Sequence, residues 1–117
     1  MRIARANISV DKSWSIGPWN SNLDFSIGYA NRGINEPHQH SKVTEVYLVA
    51  RGSADVRVER ETFTLTAGDI LILEPGEAHT FLSSSPGYFH FVLHAPGLPI
   101  EEVRDEKIQV SRSRLGL

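Results

Sequence analysis

The sequence predicts an all-β fold, a barrel or sandwich of short antiparallel strands. Three observations predict it. Alternating or β-branched runs recur at even spacing through the middle of the chain. Turn residues split them at "NRGINEP", "AGD", "EPGE" and "SSSPG". Almost nothing carries the period of a helix.

Taken in order, strands are expected at "LDFSIGYA" (23–30), "TEVYLVARG" (44–52), "SADVRVE" (53–59), "TFTLTAG" (62–68), "DILILE" (69–74), "AHTFLSSS" (78–85) and "GYFHFVLHA" (87–95). "ADVRV" alternates small or apolar residues with charged ones, as a half-solvated strand does. "DILIL" and "FHFVL" are apolar nearly throughout, which predicts that both of their faces are covered. The stretch "DKSWSIGPWNSN" (11–22) holds both tryptophans and is expected to cover the core edge or barrel mouth, or to cross to a partner subunit. The charged tail after "APGLP" is expected to form a short strand or helix and then fray.

The totals set bounds. A chain of 117 residues fits one domain over 1–117, with a core at about 23–95, an N-terminal arm at 1–22 and a tail at 96–117. A net charge of -2 offers no basic face for DNA or RNA. No apolar run approaches a membrane span, and the first residues lack the apolar core of a signal peptide. Cysteine is absent, so thiolate and disulfide chemistry are excluded. These features predict a cytoplasmic protein.

The chemistry is concentrated in "EPHQHSKVTEVYLV" (36–49). In an extended segment, His38 and His40 point to the same face with Cα atoms about 6.6 Å apart. Glu45 follows in an apolar strand, where an unpaired carboxylate is costly and a cation is its natural partner. His79 follows the turn "EPGEA". Three imidazoles and one carboxylate suit a divalent transition metal, whether Mn, Fe, Co, Ni, Cu or Zn. With that ion, one carboxylate leaves a net charge of about +1, which favours anionic or chelating oxygen ligands.

The spacing runs Gly33, four residues, His38-Gln-His40, four residues, Glu45, six residues, Gly52, and later Gly68, seven residues, Gly76, two residues, His79. This resembles the two motifs of the cupin superfamily, in order and with the short separation of small prokaryotic members. Three departures occur. The loop before His38 is one residue short, Glu74 stands in place of a proline, and Ser83 stands in place of an asparagine. None removes a ligand. The resemblance implies a double-stranded β-helix (jelly-roll) barrel with His38, His40, Glu45 and His79 as its four metal ligands. It also implies a homodimer formed through outer sheet faces.

Further candidates lie close by. Tyr47 shares a strand face with Glu45 and is a pocket wall, a proton donor or a core tyrosine. His90 and His94 share a face with Tyr88 and Val92, while Phe89, Phe91 and Leu93 take the other. If the phenylalanines face inward, the histidines face a neighbouring sheet or subunit, and the aromatic face fits a core better. In the opposite register, His90 or His94 lies near the metal as proton carrier or substrate donor. Glu36 and Glu77 read as solvated loop carboxylates. The family includes dioxygenases, decarboxylases, isomerases and lyases. A metal-dependent enzyme acting on a small oxygenated molecule is therefore the first functional expectation, and a non-catalytic ligand-binding or sensor module the second. Regulatory members carry a helical DNA-binding segment that this sequence does not show. A metal-free epimerase-type barrel ranks last, because it need not keep four ligands.

Overall fold

The computed structural model describes residues 1–117. Ten strands form two antiparallel five-stranded sheets. The first sheet holds β1 (Lys12–Ile16), β2 (Ser26–Ala30), β9 (Phe89–Ala95), β4 (Thr44–Arg51) and β7 (Ile70–Leu73), in that order. The second holds β10 (Lys107–Gln109), β3 (His38–His40), β8 (His79–Ser84), β5 (Ser53–Val58) and β6 (Glu61–Thr66). One short helix, α1 (Ile100–Glu106), precedes β10, and a 3-10 turn spans Arg112–Leu115. No helix is long and apolar enough to cross a membrane. The strand order is that of a double-stranded β-helix.

Turn chemistry sets the strand ends. Gly52 and Gly68 have φ of 78° and 95°, in the left-handed region that glycine enters without strain. Gly76, with φ of 89°, lets the loop after Pro75 fold back, and its N–H donates to the His40 carbonyl at 2.8 Å. The loop that delivers His79 is thereby tied to the strand that carries His40.

The apolar core fills one end of the barrel. Tyr47, Val49, Ala54, Val56, Leu65, Leu73, Phe81 and Tyr88 form a single buried cluster. The other end is hollow. Trp14 lies over Gly28, where any Cβ would meet its ring, and Trp19 sits nearby on the same cavity wall. The tryptophan segment thus covers the barrel mouth, and part of it is a true strand, β1 paired with β2.

Three expectations need correction. In β9 the histidines, not the phenylalanines, face inward: His90 pairs with Val49 and His94 with Glu45, and both histidines are buried. Phe91 points outward and is 44% exposed. Alternation identifies two faces but not which is inside, and here the outer face is the aromatic one. Strand β7 is not covered on both faces either, since Ile70 and Ile72 are 60% and 57% exposed. The tail does not fray. Strand β10 pairs with β3, Leu115 is fully buried, and Arg114 binds Gln39, Glu59 and the Gly76 carbonyl.

Candidate metal centre

The two sheets bring their polar residues face to face. The second sheet contributes His38 and His40 from β3 and His79 from β8, with His38 directly opposite His79. The first contributes Glu45 from β4 and His94 from β9, also directly opposite one another. The period of two that places His38 and His40 on one face is therefore met, and both side chains are buried.

Ligand atoms of His38, His40, Glu45 and His79 all lie within 4.8 Å of one another. Around the Glu45 carboxylate, the Nε2 atoms of His79, His40 and His38 stand 2.8, 3.2 and 3.9 Å away. His94 Nε2 is 2.6 Å away.

The outer nitrogens matter as much. His38 Nδ1 donates to the Glu36 carbonyl at 2.6 Å, and His79 Nδ1 to the Glu77 carbonyl at 3.0 Å. His40 Nδ1 donates to the carboxylate of Glu106. A neutral imidazole has one N–H, and in all three rings it is engaged outward. Three Nε2 lone pairs then converge on an anionic carboxylate. That arrangement is repulsive unless a ring takes a second proton or a metal cation lies among them. His40 Nε2 is buried with no hydrogen-bond partner of its own. The residues present therefore fit a divalent ion. His94 plays another part: with Nδ1 unengaged, it can donate Nε2–H to Glu45 and orient that carboxylate.

Burial sets the protonation of the surrounding groups. Desolvation lowers His38 to about 4, with the neighbouring His79 adding to it. Burial also pushes the His40 imidazolium down, but the carboxylates of Glu45 and Glu106 more than reverse this, so its pKa lies above the ordinary histidine value. Glu45 is buried, which alone would raise it, yet the imidazoles of His40, His79 and His94 crowded around it hold it well below the carboxylate range. Tyr47 is pushed well above the ordinary phenol value by burial and by the Glu45 charge, so it stays protonated. His90 is lowered to about 4 by desolvation. Its Nδ1 lies 2.7 Å from the buried Tyr88 hydroxyl. That hydroxyl has no other partner, so it donates to Nδ1 and leaves the His90 N–H on Nε2.

The site opens on a cavity of about 500 Å³. Trp14, Tyr47, His90, Val92, Ile100 and Val103 are among its walls, and Trp14 packs against His94 with ring centroids 4.5 Å apart. Glu36 is not a free loop carboxylate. It is half-buried at the cavity rim and paired with Lys107 at 2.6 Å and Lys12 at 3.6 Å. Glu77 caps its own loop, accepting from the Glu74 N–H at 2.8 Å.

Glu106 is the residue that the sequence did not announce. It is 2% exposed and sits at the end of α1, beside the site. No spacing rule links it to His40 across 66 residues. Its charge also changes the balance expected from Glu45 alone. With a divalent ion bound, two buried carboxylates would offset it, and the centre would be near neutral rather than positive.

The barrel is that of a cupin. The sequence matches the AraC-like ligand binding domain over residues 25–113, and the chain belongs to that family. It is 36% identical over 58 residues to a germin-like protein, 5-1, from Oryza sativa subsp. japonica. That match takes in 45% of this chain and 26% of the rice protein, so the chain spans about a quarter of its relative. Among solved structures, KdgF from a Halomonas species superposes with a TM-score of 0.61 at 22% identity, covering 73% of this chain and 78% of KdgF. Streptomyces Pac13 with uridine gives a TM-score of 0.67 at 12% identity, covering 93% and 84%. At these identities the two structures share the fold.

Proposed function

We propose that the chain is a metal-dependent cupin enzyme of dioxygenase, isomerase or lyase type, acting on a small oxygenated or anionic molecule bound in the barrel. One divalent transition metal would be held by His38, His40, Glu45 and His79. The observation that carries this reading is the outward engagement of all three Nδ1 atoms, which turns three lone pairs onto Glu45. When bound, the ion supplies Lewis-acid polarisation of a carbonyl or enolate, or oxygen activation if it is iron or copper.

The chain's own groups do the rest. His90 offers Nε2–H to an oxygen in the cavity, Tyr47 is a protonated donor beside Glu45, and His94 steadies Glu45. Trp14, Val92 and Val103 exclude water. Because the centre is near neutral, the preference for an anionic group falls to the rim, where Lys12 and Lys107 share one carboxylate. The lyase form is supported by the fold neighbour Pac13, described as a nucleoside dehydratase.

The test is metal content by elemental mass spectrometry on untagged protein, beside a His38→Ala, His79→Ala double variant. Near one ion per chain in the wild type, lost in the variant, is expected. Metal-free wild type after reconstitution overturns the reading. The reconstituted forms are then assayed with diketones, catechols and hydroxy acids.

Family membership favours a second reading, a ligand-binding module without turnover. A compound that raises thermal stability while no metal form turns over would select it.

We also propose that the chain forms a homodimer through the outer face of the first sheet. Ile70, Ile72 and Phe91 are exposed there beside half-buried Val46, Leu48 and Leu93. An apolar face of this kind on a soluble chain marks an interaction surface. Ile72→Lys should convert the dimer to a monomer in sedimentation analysis, with the barrel intact. A wild type that sediments as a monomer removes the dimer.

A further inference from the structure

We propose that Glu106, contributed by the C-terminal segment, is a positioning residue for the metal centre: it holds His40 in the tautomer and orientation that aim Nε2 at the ion. The inference deepens the metal-dependent reading and rests on it.

Four observations support it. Glu106 is a carboxylate at 2% exposure, and such a group is retained only with strong partners. Its Oε1 accepts from His40 Nδ1. Its backbone is anchored independently, because its carbonyl accepts from the Ser41 N–H at 2.9 Å and the Ser41 hydroxyl at 3.0 Å. Strand β10, which follows at once, pairs Lys107 with His40 itself. Glu106 is therefore held by its own carbonyl and by the strand that follows it, beside the ligand it bonds. His38 and His79 find backbone carbonyls for Nδ1. His40 alone has a full negative charge there, which raises the basicity of the ring as a ligand. The same segment walls the cavity with Ile100 and Val103, so the residue that steadies a ligand belongs to the element a bound molecule touches.

The experiment titrates cobalt(II) into metal-free wild type, Glu106→Gln and Glu106→Leu, reading both affinity and the visible absorption bands. Gln can still accept from Nδ1–H but lacks the charge, whereas Leu offers neither. The expected result is about 10- to 100-fold weaker binding in Glu106→Gln, a further loss in Glu106→Leu, and shifted cobalt bands in both. Wild-type affinity and bands in Glu106→Gln overturn the proposal. A wild type that takes up no cobalt overturns the metal reading itself, a separate failure. If the variants do not fold, long-range nitrogen–proton NMR on the zinc-loaded wild type decides. A proton on His40 Nδ1, hydrogen-bonded and slow to exchange, upholds the assignment, and a bare Nδ1 overturns it.

Discussion

Glu45→Gln should strip the metal while leaving the metal-free barrel at least as stable as the metal-free wild type. The first half follows from charge. In the proposed ligand set Glu45 is the one anion, and its loss should weaken binding by more than the roughly 100-fold that attends removal of a partner outside the ligand set. The second half follows from hydrogen bonding. In the wild type without metal, the Glu45 oxygens face Nε2 atoms whose rings already donate outward. A carboxylate has no donor to offer them. A glutamine amide with its nitrogen at the Oε1 position brings an N–H to the His79 lone pair, while its oxygen at the Oε2 position keeps the bond from His94. A buried charge is removed at the same time. Elemental analysis and thermal melts of both proteins, after dialysis against chelator, check the two halves separately. Full metal content in the variant would remove Glu45 from the ligand set. A large drop in metal-free stability would show that the histidines, not an ion, are the normal partners of Glu45.

Much of this centre was legible in the sequence, for reasons that mark where legibility stops. His38 and His40 share a face by the period of two, a local rule that no tertiary context overturned. Glu45 stood out because an acid in an apolar strand needs a reason. Gly52, Gly68 and Gly76 announced turns that only φ above zero permits, and all three have it. Strand β9 marks the first limit. Its two faces, His90 with His94 and Phe89 with Phe91, were separable, but choosing the inner one required knowing what covered the outer sheet. Burying the aromatic set is sound for an isolated barrel. Here the polar site claims the inside, and the outer face carries the apolar residues, as β7 also shows with Ile70 and Ile72.

Glu106 marks the second limit. A charged tail reads as solvated because most such carboxylates are. Its role comes from β10 returning to β3, a pairing between residues 107–109 and 38–40 that no local pattern encodes. A short strand or helix in the tail is expected from the sequence, but its partner is not. The consequence is chemical as well as structural. On the proposed metal reading, Glu45 alone would leave a positive centre that calls for an anion. With Glu106 the centre would be near neutral, and charge selection would move to the lysines at the rim.

Chelation should lower the midpoint of thermal unfolding by about 10–20 °C at neutral pH. A ligand present at 100 to 1,000 times its dissociation constant adds about 3–4 kcal/mol to the folded state, and in a chain of this size each kcal/mol is worth about 3–5 °C. The metal-free protein should then lose further stability on acidification. His38 and His90 have folded pKa values lowered to about 4 by burial. Unfolded, each protonates near its ordinary value of about 6.5. The unfolded chain therefore binds more protons as pH falls, and stability is lost from about pH 6.5 down to pH 4, by up to roughly 3 kcal/mol for each group. His40 acts the other way: its raised pKa adds stability below the ordinary value and withdraws it as pH rises. Two groups oppose one, so the net direction is acid-destabilising. His90→Gln isolates one contribution, because Gln can accept from Tyr88 without titrating. Its melts between pH 6.5 and 4.5 should fall less steeply than those of the wild type. Parallel slopes would show that His90 is not held neutral by the fold. Equal midpoints with and without chelator would show that no ion stabilises this barrel.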